Sequence, residues 1–140
     1  MKSLDTNVLV RYYAQDDPQQ SPVATRLFAD KQPLFVSKTV LIEFWWVLTQ
    51  ADKFHFEKLQ VLSVFDHLLG LSNIVVEDES TVLDALAWCR AGLEFPDALH
   101  LASSGQCAVM LTFDDRKFAR RANRLGIRPP CQIPAMGDWA

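Results

Sequence analysis

No stretch of this sequence stays apolar long enough to cross a membrane, and no long apolar run follows the basic start as a secretion signal requires. Cysteine is scarce. Cys89, Cys107 and Cys131 are odd in number, far apart and form no Cys-x-x-Cys pair, which favours reduced thiols in a cytoplasmic protein over a disulfide framework. Internal repeats, low-complexity segments and linkers are also missing. So is the strongly basic balance of many nucleic-acid binders, since the formal net charge is only −3. The cations are instead concentrated: Arg116, Lys117, Arg120, Arg121, Arg124 and Arg128 share one short C-terminal stretch. That run is either a solvated helix face or a contact for a phosphate backbone.

What is present is a chain of 140 residues, 49% of them apolar, enough for one core. A single domain over residues 1–140 is expected, with an irregular tail from 129 to 140, where Pro129, Pro130, Pro134 and Gly137 cluster. Strand candidates lie at residues 1–5, 34–36, 73–76 and 109–112, with Ile133 marking a last short edge strand. Helical spacing fills the gaps. Val8, Leu9 and Tyr12 share one helix face. Ser21 and Pro22 look like the cap and first position of a second helix. Leu41, Phe44, Trp45 and Leu48 form the apolar stripe of a third over residues 39–51. Phe56, Leu59, Leu62 and Phe65 support a fourth, Ser80 or Thr81 starts a fifth, and Pro96-Asp97 opens a sixth. Residues 115–125 form a seventh, ending at Gly126. Strands alternating with helices predict an α/β fold, a mostly parallel central sheet of four to five strands flanked by about seven helices.

Open parallel sheets bind ligands at the carboxyl ends of their strands. Asp5 and Asp114 stand where the first and fourth strands should end, although each is equally well read as a helix cap. Asp115 is a competing candidate for the last acid. Glu43 lies in Thr-Val-Leu-Ile-Glu-Phe-Trp-Trp-Val-Leu, a segment apolar on nearly every side and so expected to be buried. A carboxylate there needs a salt bridge, a metal or a cleft. Asp97 falls in the first turn of the helix opened by Pro96, where the helix dipole favours an anion. His100 follows one turn later and reads as a packed histidine.

Together the four acids say more. Like charges about 4 Å apart cost about 4 kcal/mol at an effective dielectric near 20. Four converging carboxylates would repel one another strongly, or some would stay protonated, and a hard divalent cation removes the problem. Oxygen-only donors without a histidine or cysteine cluster suit Mg2+ or Mn2+ better than zinc. Such an ion offsets charge on phosphate oxygens while a carboxylate activates the attacking water.

Four segments, in this order and at this spacing, resemble a PIN domain, and within that class a VapC-type toxin of a toxin–antitoxin pair. They are Leu4-Asp5-Thr6-Asn7-Val8-Leu9-Val10, the helix with Glu43, Phe95-Pro96-Asp97-Ala98-Leu99-His100-Leu101-Ala102, and Leu111-Thr112-Phe113-Asp114. The resemblance runs from Met1 to about Gly126. It implies a Mg2+- or Mn2+-dependent endoribonuclease whose catalytic and metal-holding acids are Asp5, Glu43, Asp97 and Asp114. It also implies a homodimer, and inhibition by a small cognate antitoxin. Thr6 and Asn7 match the family's polar residues after the first acid: Thr6 to hydrogen-bond a carboxylate or a metal-bound water, Asn7 to orient Asp5 or meet substrate. Thr112 matches the hydroxyl residue before the last acid. Glu94 stands where relatives often carry Asp, which leaves its role open.

In the mechanism this implies, Asp5, Asp97 and Asp114 hold the metal, Glu43 positions or deprotonates the water, and Arg116, Lys117 or Arg120 steers the RNA backbone. A catalytically silent PIN-like binding module is the alternative. An aspartate-based phosphotransfer domain fits less well, because Asp5-Thr6-Asn7 lacks the Asp-x-Asp of such phosphatases and no lysine is suitably placed. Trp45 reads as core, and Trp46, on another face, as an interface residue.

Overall fold

Short apolar runs bounded by turn residues become parallel strands in the computed structural model, which describes residues 1–50, 52 and 54–135. The chain divides into two compact units, Met1–Glu79 and Ser80–Ala140.

The first unit runs β1 (Lys2–Ser3), α1 (Thr6–Ala14), α2 (Gln20–Ala29), β2 (Leu34–Val36), α3 (Lys38–Gln50), α4 (Lys58–Gly70) and β3 (Ile74–Val76). Its sheet has the order β1-β2-β3, parallel throughout, with Lys2 opposite Leu34 and Leu34 opposite Ile74. The ladder continues one step past β1, where Leu4 N donates to Phe35 O at 2.9 Å, and so fixes the chain directly before Asp5. Leu34, Val36, Ile74 and Val76 are buried. On α3 the residues Leu41, Phe44, Trp45 and Leu48 recur at helical spacing and are buried, and Phe65 of α4 meets two of them. The Phe44 and Phe65 rings stack at 5.5 Å, and Trp45 meets Phe65 edge-on at 5.8 Å. Glu43 lies off this stripe and is exposed, contrary to the buried position expected from its apolar neighbours. Trp46 is likewise 40% exposed.

The second helix starts differently from the sequence expectation. Asp17 caps it: Oδ1 accepts from Gln19 N at 2.9 Å and Gln20 N at 2.7 Å, bonds that hold its carboxyl below the usual carboxylate range. Ser21 is therefore inside the helix rather than at its cap. It is buried, with its hydroxyl donating to Arg11 O at 2.8 Å, which ties α2 to α1.

The second unit contains α5 (Glu79–Ala91), α6 (Phe95–Ala102), β4 (Met110–Leu111), a π-helical turn (Asp115–Ala119), α7 (Arg120–Arg124) and β5 (Cys131–Gln132). β4 and β5 pair in parallel, and Thr112 N adds a bond to Gln132 O at 3.0 Å. The wide turn arises because Ala119 N reaches back five residues to Asp114 O at 3.0 Å, so the expected seventh helix is π-helical in its first half. Gly126 follows α7 with φ of +72°, a value that favours glycine. β5 falls one residue before Ile133, inside the stretch expected to be irregular, while Gly137 lies outside the described residues.

The expected single sheet is thus two sheets, of three and two strands, among the described residues. The reason is length. β1, β4 and β5 have two residues each, so their alternation carries almost no record of which neighbour completes their hydrogen bonds. Seven α-helices are present among those residues, and none is long and apolar enough to cross a membrane.

Asn123 holds β5 to α7. Its Oδ1 accepts from Cys131 N at 2.9 Å and its Nδ2 donates to Cys131 O at 2.8 Å. Asn123→Ala is expected to cost about 2 kcal/mol, because it leaves both backbone groups without their partner. Urea unfolding checks this, and an unchanged midpoint would show that the clamp carries no stability.

Candidate active site

In the first unit, chain geometry after β1 brings two of the candidate acids to one residue. Asp5 takes the N-cap of α1 with extended backbone, and its Oδ1 accepts from Thr6 N at 2.7 Å. The Thr6 side chain is buried and its hydroxyl donates to Glu43 Oε1 across from α3. Thr6 therefore joins the two carboxylates, Asp5 through its amide and Glu43 through its hydroxyl. Both acids, with Thr6 and Asn7, line an open cavity of about 350 Å³ completed by Val10, Arg11, Val47 and Phe54.

In the second unit, one of the other two acids acts on the second. Asp97 lies in the first turn of α6, and its carboxyl is pushed above the usual range, first by burial and then by the negative charge of Asp114. Glu94 pushes it the same way, and His100, which is exposed one turn later, partly offsets the effect. Burial and like charge thus outweigh the helix-dipole benefit expected from the sequence. Asp114 caps the π-turn: its Oδ1 accepts from Lys117 N at 3.0 Å, and its amide donates to Thr112 Oγ1 at 3.1 Å. Thr112 thereby sets the backbone that aims the last acid. Asp115 is engaged elsewhere, in an ion pair with Arg120 at 2.7 Å. The Cys131 thiol is pushed up by burial and by the charge of Asp97, so it is no activated thiolate.

Residues 3–124 match the PIN domain family. The chain belongs to that family. No curated protein sequence matches it. PIN domains are usually metal-dependent nucleases, and they generally bind divalent metals.

Among the described residues, no Lys or Arg forms an ion pair with Asp5, Glu43, Asp97 or Asp114, whereas Arg11–Asp16, Lys38–Asp78 and Arg120–Asp115 are paired. Neither unit of the PIN domain gathers three His, Cys, Asp or Glu side chains into a metal cage of its own among those residues. The donors are nevertheless of the right kind for a divalent ion: carboxylate oxygens, one of them held against its charge.

Arg116 and Lys117 are exposed, while Arg120 donates to Asp115 and Arg121 to Gly92 O at 3.2 Å. The structure thus ties up one of the three cations expected to steer RNA. It adds another, Arg11, which lines the Asp5–Glu43 cavity and is braced by Asp16 at 3.1 Å and Gln20 at 2.9 Å. Sequence reasoning passed over Arg11. The available signal was its spacing, one turn after Asn7 on the same helix face.

Proposed function

We propose that this PIN domain is a metal-dependent endoribonuclease acting as the toxin of a toxin–antitoxin pair, with Asp5, Glu43, Asp97 and Asp114 forming one acidic site. The joining of Asp5 and Glu43 through Thr6 at one open cavity carries the reading, because two carboxylates brought together repel and a divalent cation between them would offset that repulsion. Asp5, Asp97 and Asp114 would hold Mg2+ or Mn2+, which supplies positive charge against the phosphate oxygens. Glu43 would act as the base. Thr6 occupies its Oε1 and orients the carboxylate, so Oε2 accepts the proton of the attacking water. Asn7 would hold Asp5 or the substrate in position, and Arg11, Arg116 and Lys117 would draw in the RNA backbone.

The VapC-type assignment rests on the order of the four segments, and the two units would act as a single domain. A cytoplasmic homodimer inhibited by a small antitoxin belongs to the same reading, with the exposed Trp46 as a candidate contact.

Purified protein stripped with EDTA is expected to leave single-stranded RNA intact and to cleave it when Mn2+ or Mg2+ is returned, as read on a denaturing gel. Intact RNA at millimolar metal, with folding verified by circular dichroism, would mark a silent binding module instead.

A further inference from the structure

We infer that Phe113 is a platform on which one unpaired nucleobase of the RNA stacks beside the last acid. The inference rests on the ribonuclease reading and adds a base-binding site to it. Phe113 is 82% exposed, more than any other large apolar side chain among the described residues. The nearby aromatics of the same unit behave oppositely: Phe95 and Phe118 are buried, so the core is filled without this ring.

The ring is also presented from a fixed backbone. On one side Thr112 N is bonded to Gln132 O at 3.0 Å. On the other, Asp114 N is bonded to Thr112 Oγ1 at 3.1 Å, and Asp114 Oδ1 accepts from Lys117 N at 3.0 Å. Phe113 is the single residue between these anchors, so ordering the ring on binding costs side-chain torsions and little backbone freedom.

Charge identifies the occupant. The exposed Arg116 and Lys117 follow within four residues, and Asp114 is adjacent. Cations for phosphate and a bare aromatic face for a base are what a single strand requires, and the aromatic face accepts any base. An apolar protein partner would use the ring but would leave the cations without a counterpart.

The test uses full-length protein carrying Glu43→Gln, so that bound RNA is not cut. Phe113→Ala in that background is expected to weaken binding of single-stranded RNA about ten-fold, and Phe113→Trp to restore it. The slope of log affinity against log salt should stay unchanged, since no phosphate contact is lost. Base-paired RNA should bind equally to all three proteins. Undiminished affinity of Phe113→Ala for single strands would overturn the inference, and the nuclease reading would survive if the parent chain still cleaves RNA with metal. A parent that neither binds nor cleaves RNA would remove both. A change of oligomeric state in Phe113→Ala, with RNA affinity unmoved, would assign the ring to a contact between copies and overturn the inference.

Discussion

Asp97→Asn is expected to lower RNA cleavage about a thousand-fold and, at the same time, to raise the melting temperature of the metal-free protein at neutral pH. The first effect corresponds to about 4 kcal/mol of barrier, in the range supplied by a metal site that offsets transition-state charge. The second follows from the neighbourhood of Asp97. Burial and Asp114 disfavour its ionised form in the folded chain. The folded carboxyl therefore titrates above its unfolded value of 3.8. Below that value both states are protonated and the folded state carries no penalty. As pH rises through the unfolded and then the folded value, the unfolded chain releases the proton more readily and stability falls. Asparagine cannot ionise, so its gain should appear only above about pH 4 and should level off once the folded carboxyl has titrated. Thermal unfolding in EDTA across this range reads the difference directly. Parent and variant curves that keep the same separation at every pH would show that Asp97 is not held against its charge. Millimolar Mn2+ should then raise the parent's melting temperature more than the variant's.

Asp5 separates folding from chemistry in a second way. Asp5→Asn is expected to reduce cleavage about as strongly, again about a thousand-fold, while unfolding in urea stays close to the parent. Asparagine caps helices as well as aspartate, and its side-chain oxygen still accepts from Thr6 N. Asp5→Ala loses charge and cap together, and should in addition destabilise the fold by about 1 kcal/mol. Rates on labelled RNA and denaturation midpoints for the pair give four numbers from two proteins. An Asp5→Asn protein that cuts RNA at the parent rate would remove this residue from the mechanism whatever its position.

The parts of the fold that read clearly from sequence are those where apolar spacing had only one solution. Leu34–Val36 is a strand as expected, and Ile74–Val76 differs from the expected 73–76 by one residue. The stripe Leu41, Phe44, Trp45 and Leu48 lies on α3 and is buried. What failed depended on single hydrogen bonds. Ser21 has the right chemistry for a cap, but Asp17 reaches two amides of the helix start and wins the position. The π-turn depends on Ala119 reaching Asp114 O rather than one residue nearer, which no periodicity records.

The site divides along the same line. Its acids stand out in the sequence because carboxylates interrupt apolar segments or follow strand candidates. Their partners do not stand out. That the Thr6 hydroxyl reaches Glu43 depends on how α3 is rotated, and that rotation also puts Glu43 in the open. Arg11 and Phe113 escaped notice for different reasons. One resembles any solvated helix cation, and the other resembles core until its bend is seen to face outward.

The two caps, Asp5 on α1 and Asp114 on the π-turn, have a further consequence for inheritance. Capping uses an oxygen lone pair, whereas the chemistry proposed here uses the negative charge. A single codon change from aspartate to asparagine at either position therefore keeps the architecture and discards the hydrolysis. A population of such genes can accumulate well-folded inert copies, which still compete for whatever the active protein binds.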